Sequence, residues 1–270
     1  MSRLERSAAG QELKERPSPP SAVQAAVERA CSAPRLALVL DYDGTLVPFA
    51  PMPELAAPDG ELLALLRRLA ARPRTEVHIV SGRKQGTLGR WFGSLTIGLH
   101  AEHGFWTRPP GGEWRSADVP PSTWREPVLA ILRDFAERTP GSLIERKTAG
   151  FAWHYRMADP EFGTAQAKEL SLHLSTLLSN VALEVLHGDM VLEIRPAGIH
   201  KGLAVARVLA HASPGMLLLA IGDDRTDEDL FAALPEGSIA VHVGHLPSRA
   251  PIRIADVPAT RALLGQIADS

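Results

Sequence analysis

The sequence has 270 residues, a formal net charge of −2 and a single cysteine, Cys31. The near-neutral charge gives no basis for bulk attraction to nucleic acid or to an anionic membrane, and a lone cysteine excludes an internal disulfide. No apolar run approaches the ~20 residues of a membrane span, and residues 1–20 lack a signal-peptide core, so we expect a cytoplasmic protein with a disordered tail over residues 1–20.

The first predicted strand is the apolar run LALVL at residues 36–40, which leads directly into Asp41 and Asp43. A short apolar run that closes at a glycine is typical of a strand buried on both faces of a parallel sheet. The two aspartates then lie at the carboxyl edge, where open α/β sheets bind ligands, and neighbouring carboxylates favour a divalent cation. The alternative is a turn in which the aspartates accept backbone N–H groups.

The next two predicted strands also lead into polar or turn sequences. After a proline-rich loop, a helix over residues 60–72 precedes a strand over residues 75–80, which runs into the tripeptide SGR at residues 81–83. A helix that begins at this arginine would offer free N–H groups to an anion beside the serine. A third strand is predicted over residues 95–100, and the AEHGFW and PPGG sequences after it indicate a hairpin.

Residues 119–196 differ in character from the segments on either side. They predict the order helix, strand, strand, helix, strand, strand, which has no parallel repeat and is typical of a small α+β domain. The predicted strands are LIERK, FAWHYR, ALEVLH and MVLEIR, and the last two are joined by Gly188-Asp189 as a hairpin turn. We therefore expect this segment to be an inserted domain.

Alternating helices and buried strands resume after the insertion. A helix is predicted over residues 201–212, and an apolar strand over residues 217–221 runs into GDDRTDED at residues 222–229. A strand over residues 238–244 and a terminal helix from about residue 258 complete the chain. Because crossovers between parallel strands are right-handed, this alternation predicts a doubly wound parallel sheet.

The predicted fold class is therefore α/β, with a doubly wound, Rossmann-like parallel-sheet core and an inserted α+β cap domain. The core is expected over residues 21–118 and 197–270, and the cap over residues 119–196. The predicted tail, residues 1–20, lies outside both.

Four segments bring chemically active side chains to one edge of this sheet: Asp41 and Asp43, Ser81, Lys201, and Asp223 with Asp227. Carboxylate oxygens suit Mg²⁺ rather than a soft metal, and a lysine and a hydroxyl beside it suit a transferring phosphoryl group. One ionised aspartate can act as a nucleophile, while a second needs a raised pKa to deliver a proton to the leaving oxygen. The alternative for Lys201 is an ordinary surface lysine at a helix start.

In order, DYDGT, SGR, Lys201 ahead of a strand, and GDDRTDED resemble the four motifs of the haloacid dehalogenase phosphatase superfamily. GLHAEHG, ERKTAGFAWHYR, VLEIRPAGIHKG and AIGDDRTDEDLF together resemble trehalose-6-phosphate phosphatases, over about residues 34–266. The resemblance implies Mg²⁺-dependent hydrolysis of trehalose 6-phosphate to trehalose and phosphate, through a phosphoaspartate, in trehalose biosynthesis.

The resemblance also implies a role for each aspartate. Asp41 would be the nucleophile, and Asp43 the general acid for the sugar leaving group and then the base for the hydrolytic water. Mg²⁺ would be held by the Asp41 carboxylate, the Asp43 backbone carbonyl and Asp223. Asp224 or Asp227 would be a more distant or alternative ligand.

The remaining binding residues follow from the same resemblance. Ser81 and Lys201 would hold the transferring phosphate. In the cap domain, the positions that match Glu145, Lys147 and Glu193 contact, in the family, the glucose that bears no phosphate. The alternative is that these three residues form cross-strand ion pairs on a solvated sheet face.

Several other polar residues have weaker interpretations. His103 is predicted to line the cleft, and Arg83 to assist in substrate binding there. Structural hydrogen bonding explains His154 and Arg156, on the cap strands, as well as substrate binding does. A zinc site at His100 and His103 is rejected, because their spacing is not that of a helical HExxH motif and zinc has no other candidate ligands.

Three other activities remain open. The nearest is a phosphatase for a related sugar phosphate, such as sucrose phosphate, mannosyl-phosphoglycerate or a pseudo-disaccharide phosphate. A phosphomutase would transfer phosphate and release none. A catalytically idle sensor would be expected to lack Asp41, Asp43 or Lys201, and all three are present. The expected partner is a small sugar phosphate, without nucleic acid or membrane, and the chain is expected to be a monomer.

Overall fold

The computed structural model describes residues 16–118 and 123–270. The strands are β1 (Arg35–Asp41), β2 (Thr75–Val80), β3 (Gly98–Ala101), β4 (Trp106–Arg108), β5 (Arg115–Ser116), β6 (Leu143–Arg146), β7 (Phe151–His154), β8 (Leu183–Gly188), β9 (Val191–Pro196), β10 (Met216–Gly222), β11 (Ile239–Val243) and β12 (Ile252–Ile254). The helices are α1 (Pro20–Ser32), α2 (Gly60–Ala71), α3 (Gln85–Phe92), α4 (Arg125–Arg138), α5 (Pro160–Leu177), α6 (Gly202–Ala210), α7 (Asp227–Ala232) and α8 (Val257–Ala268). Within the described ranges, no helix combines the length and the apolar character needed to cross a membrane.

Eight strands form the larger sheet, in the order β12-β11-β10-β1-β2-β3-β4-β5. From β12 to β3 each neighbouring pair is parallel, whereas β4 and β5 are added antiparallel as a hairpin. The predicted α/β fold with a mainly parallel sheet is confirmed.

Strand β1 lies at the centre of this sheet, between β10 and β2. Its leucines pack in one cluster with side chains of α2 and α8. On the opposite face, Ala37 and Val39 pack with side chains of α6. Because both faces are covered, the strand is apolar until Asp41, which therefore lies at the carboxyl edge of the sheet, buried beneath the loops.

A second sheet of four antiparallel strands, in the order β6-β7-β9-β8, packs against α4 and α5. Its core combines aliphatic and aromatic side chains, and the Trp153 ring stacks on Tyr155 with 5.2 Å between ring centroids. We call residues 125–196 the cap domain. Residues 119–122, where the predicted insertion begins, lie outside the described residues.

The amino-terminal region differs from the prediction. Of the predicted tail, residues 1–15 lie outside the described residues, but Ser18 is tied to the edge strand β12. Its N–H donates to the Arg253 carbonyl, and its hydroxyl accepts from the Arg253 N–H, both at 2.9 Å. Helix α1 then begins at Pro20 and packs against α8. Residues in the second part of the predicted tail are therefore bound to the larger domain, and α1 and β12 were not predicted.

Two buried histidines lie between β2 and β3, with 3.2 Å between His78 Nδ1 and His100 Nε2. Glycine is required at position 98, because a Cβ there would lie 2.1 Å from His78 Nδ1. Burial, and then the charge of His78, lowers the pKa of His100 well below its usual 6.5.

We expect the free energy of unfolding to decrease as pH falls below about 6.5, because the unfolded chain then binds a proton that folded His100 does not. Urea unfolding at about pH 7.5 and about pH 5.5 measures this dependence. His100→Asn should weaken it, and His211→Asn, at an exposed position, should leave it unchanged. An equal pH dependence in the His100 variant would contradict the assignment.

Candidate active site

Three elements that are distant in the sequence meet through the ammonium group of Lys201. Asp41 ends β1, Lys201 immediately precedes α6, and Asp227 begins α7. Lys201 Nζ donates to Asp41 Oδ1 at 2.6 Å and to Asp227 Oδ1 at 2.8 Å, and all three side chains are buried. Lys201 is therefore the buried cation of an acidic site and not a surface lysine.

The second oxygen of Asp227 organises the loop that follows β10. Asp227 Oδ2 accepts the backbone N–H groups of Asp223 and Asp224, each at 3.1 Å. Gly222 permits this approach, because a Cβ there would lie 2.2 Å from Asp227 Cγ. The loop is thus shaped by a carboxylate that also binds Lys201.

Asp41, Asp223 and Asp227 form a carboxylate cluster, each offering one oxygen so that the three atoms lie within 4.8 Å of one another. Asp223 also accepts a hydrogen bond from Thr45 Oγ1 at 3.1 Å. Gly44 makes room for it, because a Cβ there would lie 2.1 Å from Asp223 Oδ2, and its φ of +79° favours glycine. The DYDGT loop therefore closes directly over Asp223.

The carboxylate cluster carries more negative charge than Lys201 balances. Burial, and then the charges of Asp41 and Asp227, raises the pKa of Asp223 to about 10. Burial and Asp41 likewise raise the pKa of Asp227 to about 8. Burial alone would lower the pKa of Lys201, but Asp227 and Asp41 raise it well above its usual value. An oxygen donor set with unbalanced negative charge fits a hard divalent cation.

The Asp43 carboxylate lies outside this cluster and is held by Arg83. Arg83 Nε donates to Asp43 Oδ2 at 2.8 Å and Nη2 donates to Oδ1 at 2.6 Å. The guanidinium also donates to the Pro53 carbonyl at 2.6 Å and lies over the Trp91 ring, 4.7 Å from its centroid. Arg83 therefore binds Asp43 and also lines the cleft, and its part in substrate binding stays a prediction. The Mg²⁺ contact of the Asp43 backbone carbonyl also stays a prediction.

Ser81 lies at the end of β2, as predicted, and is buried at the edge of the sheet. Its N–H donates to the His100 carbonyl at 2.9 Å, and its Oγ accepts from the Arg83 N–H at 3.1 Å. These bonds leave the hydroxyl hydrogen available to an anion in the cleft. Ser81 lines the cleft, and its contact with phosphate stays a prediction.

Glu193 of the cap domain is bound both by the cap and by the larger domain. Lys147 Nζ donates to Glu193 Oε1 at 2.8 Å, and His103 Nε2 lies 2.8 Å from Oε2. Burial lowers the pKa of His103, whose Nε2 is hydrogen-bonded to the carboxylate. Burial opposes ionisation of Glu193, but His103 and then Lys147 hold the pKa of Glu193 well below its usual value. The side chains of Lys147 and Glu193 are 7% and 13% exposed, so this ion pair does not lie on a solvated face.

Glu145 lies on β6 beside a histidine and a lysine. His154 Nε2 is 3.0 Å from its Oε2, and Lys84 Nζ is 3.5 Å from its Oε1. Burial opposes ionisation, but the His154 hydrogen bond and Lys147 lower the pKa of Glu145 to about 2. Glu145 is therefore an ionised acceptor. Arg156, the other weak candidate, is paired with Asp189 at 2.6 Å.

One cleft of about 560 Å³ lies between the two domains, and most of the side chains described above line it. The larger domain and the cap domain contribute opposite walls: Asp41, Asp43, Ser81, Arg83, His103, Lys201 and Asp224 from the larger domain, and Glu145, Lys147, His154, Arg156 and Glu193 from the cap. Both walls thus present acidic and cationic side chains to the cleft.

The family model described as trehalose-phosphatase matches residues 39–256. The chain belongs to the trehalose-phosphatase family. This match spans both walls of the cleft and confirms the resemblance identified in the sequence.

Comparison with individual members of the trehalose-phosphatase family supports the same assignment. The bifunctional trehalose-6-phosphate synthase/phosphatase of Thermoproteus tenax is 47% identical over 235 residues, which cover 87% of this chain and 32% of that protein. The chain spans between 25% and 32% of the length of the first three curated relatives it matches.

Solved structures give the same result for the fold. The C-terminal domain of C. albicans trehalose-6-phosphate phosphatase superposes with a TM-score of 0.89 at 31% identity, covering 95% of this chain and 99% of that one. A haloacid dehalogenase-like hydrolase from Bacteroides thetaiotaomicron shares the fold at 15% identity, with a TM-score of 0.65 over 86% of this chain and 99% of that one.

Proposed function

We propose that this chain hydrolyses trehalose 6-phosphate to trehalose and orthophosphate. The observation that carries the proposal is the cleft between the domains, where Asp41 of the carboxylate cluster and Lys201 face charged cap side chains. A phosphate ester of a polyhydroxy sugar needs both walls, one for the phosphoryl group and one for the hydroxyls. The names of the related proteins support the choice of substrate.

Asp41 is the proposed nucleophile. One of its carboxylate oxygens attacks phosphorus, the bond from phosphorus to the sugar oxygen breaks, and Asp43 donates a proton to that oxygen. In the second step Asp43 removes a proton from water, whose oxygen attacks the phosphoaspartate and releases orthophosphate and Asp41. The bidentate bonds from Arg83 hold the ionised form of Asp43. Asp43 therefore gives up at least one of these bonds and takes up a proton before the first step, and the proton it removes from water in the second step restores this acid form.

Positive charge is needed because an anionic nucleophile approaches an anionic phosphate. Lys201 supplies one such charge, and the Ser81 hydroxyl can donate to a phosphoryl oxygen. Asp41 and Asp223, with Asp227 beside them, would hold Mg²⁺. When bound, Mg²⁺ supplies further positive charge and polarises the phosphoryl group.

Glu145, Lys147 and Glu193 are the proposed sugar-binding residues. All three line the cleft on the cap side, and the lowered pKa values of Glu145 and Glu193 keep both carboxylates ionised as hydroxyl acceptors. A sugar that binds there also displaces water from the cleft, which favours transfer to Asp41 over side reactions.

The test is a panel of sugar phosphates assayed for released orthophosphate with Mg²⁺ and with a chelator. We expect trehalose 6-phosphate to be hydrolysed fastest, and only when Mg²⁺ is present. Faster hydrolysis of sucrose phosphate or mannosyl-phosphoglycerate would reassign the substrate. Conversion of the sugar phosphate without phosphate release would identify a phosphomutase and contradict the proposal.

Glu145→Ala is expected to raise the KM for trehalose 6-phosphate by about tenfold or more, because hydrogen bonds to a charged acceptor are each worth about 1.5–3 kcal/mol. Turnover of p-nitrophenyl phosphate should change little, since that substrate has no sugar to contact the cap. Steady-state kinetics with both substrates measures the difference.

Glu169→Ala is the matched control, because Glu169 lies on α5 and pairs with Arg138 outside the cleft. This variant should keep the wild-type KM for trehalose 6-phosphate. Equal losses on both substrates in Glu145→Ala would show that Glu145 does not act through the sugar.

A further inference from the structure

A strained turn in the larger domain lies directly beside the cap domain. It follows β3, and its residues Glu102 and His103 have φ values of +48° and +57°, which non-glycine residues rarely adopt. The turn is bonded to the loop after β2, because Glu102 N–H donates to the Arg83 carbonyl at 2.9 Å and His103 N–H to the Ser81 carbonyl at 3.0 Å. The larger domain therefore fixes the backbone position of Glu102, from which its side chain extends.

The Glu102 carboxylate crosses from the larger domain to the cap domain. Its residue is 3% exposed, and its Oε2 accepts the backbone N–H of Ala149 at 2.9 Å. Ala149 belongs to the turn of residues 147–150, which connects β6 to β7. Loss of this acceptor would leave a buried backbone N–H without a partner, so the contact ties residues 147–150 to the larger domain.

The cap domain holds the same turn from its other side. Arg125, at the start of α4, donates to the Lys147 carbonyl at 2.9 Å and to the Thr148 carbonyl at 3.1 Å. Within the turn, Lys147 N–H donates to the Gly150 carbonyl at 3.0 Å. Arg125 therefore binds the carbonyls of the turn, and Glu102 binds its Ala149 amide.

We propose that Glu102 is a positioning residue for substrate binding. Its carboxylate docks residues 147–150 onto the larger domain and so places the Lys147 ammonium, which contacts Glu193, on the wall of the cleft. Glu102 acts as a hydrogen-bond acceptor whose side-chain length sets the position of the turn, and it makes no contact with the sugar. The inference rests on the proposed function, because it assigns Lys147 to sugar binding.

Two conservative variants distinguish the effect of the length of the Glu102 side chain from the effect of its charge. Glu102→Asp keeps the charge but withdraws the acceptor by about 1.5 Å, the length of one carbon–carbon bond. Glu102→Gln keeps a carbonyl oxygen at the same reach and removes the charge. We expect the Asp variant to raise the KM for trehalose 6-phosphate about tenfold with kcat little changed, and the Gln variant to stay within about twofold of wild type.

Amide hydrogen exchange over residues 147–150 measures docking without any substrate. Exchange there should be faster in Glu102→Asp and unchanged in Glu102→Gln. Asp256→Ala is the control, because it loses a carboxylate–amide bond of 2.9 Å at the start of α8, far from the cap, and should change neither KM nor this exchange.

Three results would overturn the proposal: unchanged exchange in Glu102→Asp, equal impairment of the Asp and Gln variants, or faster exchange without a change in KM. If wild-type protein did not hydrolyse trehalose 6-phosphate, the proposed function would fail. The exchange comparison would still decide whether Glu102 docks the turn, so the two failures are distinguishable.

Discussion

Asp41→Asn is expected to abolish phosphate release, lowering turnover by about 10⁴-fold or more, the order seen when a nucleophile is removed from other hydrolases. The amide has almost the same shape as the carboxylate but cannot form the acyl phosphate. Lys201 keeps its bond to Asp227, so the folded structure should be retained. The loss must therefore be chemical and not structural.

Released orthophosphate measures the turnover of Asp41→Asn, and circular dichroism with urea unfolding measures its fold. An acid quench of wild-type protein during turnover should trap phosphate covalently on the chain, and the variant should trap none. Turnover in the variant at a rate near wild type would refute the assignment of Asp41 as nucleophile.

Lys201→Met is expected to lose both activity and stability. Without the ammonium group, Asp41 and Asp227 are left in a buried site with no cation from the protein, and removing one partner of a buried ion pair typically costs about 3–5 kcal/mol. The transferring phosphoryl group also loses its nearest positive charge. We therefore expect no measurable phosphate release.

The stability loss in Lys201→Met should also depend on pH. Folded wild type already retains protons on Asp223 and Asp227 below about pH 7, because their pKa values are about 10 and about 8. Without the ammonium group these pKa values rise further, so the variant should become less stable, relative to wild type, as pH rises from about 7 to about 9. Urea unfolding in the presence of a chelator measures this difference. Lys168→Met, at an exposed position on α5, is the control. Equal stability of both variants would contradict a structural role for Lys201.

Features encoded by short, continuous patterns could be predicted from the sequence. The apolar run before Asp41 identified the central strand and its polar end, because only a strand covered on both faces is apolar at every position. Ser81 and Lys201 were found in the same way, since each lies where a regular element begins or ends. The fold class followed from the alternation of such elements.

Features that depend on contacts between distant segments could not be predicted. The face that α1 buries consists of Ala26, Val27 and Ala30, whose small side chains give a weak periodic signal, and β12 has only three residues. The pairing of Asp43 with Arg83 joins side chains 40 residues apart. Such pairs form through tertiary packing, which cannot be read from sequence spacing or composition.

The same limit applies to the acidic cluster and to the strained turn. Five acidic residues lie between 223 and 229, and spacing alone does not distinguish the one that binds Lys201. The structure assigns this role to Asp227, through two hydrogen bonds with one oxygen and an ion pair with the other. A left-handed conformation at Glu102 is likewise invisible in a sequence without glycine at that position.

The cap domain is a single continuous insertion between β5 and α6, whereas Asp41, Asp43, Ser81, Lys201 and the acidic loop all belong to the larger domain. With the residue roles proposed above, substitutions on β6, β7 and β9 would alter which alcohol is recognised while the residues proposed to cleave the ester stay intact. Descendants of one ancestral gene can diverge in substrate preference without passing through an inactive intermediate.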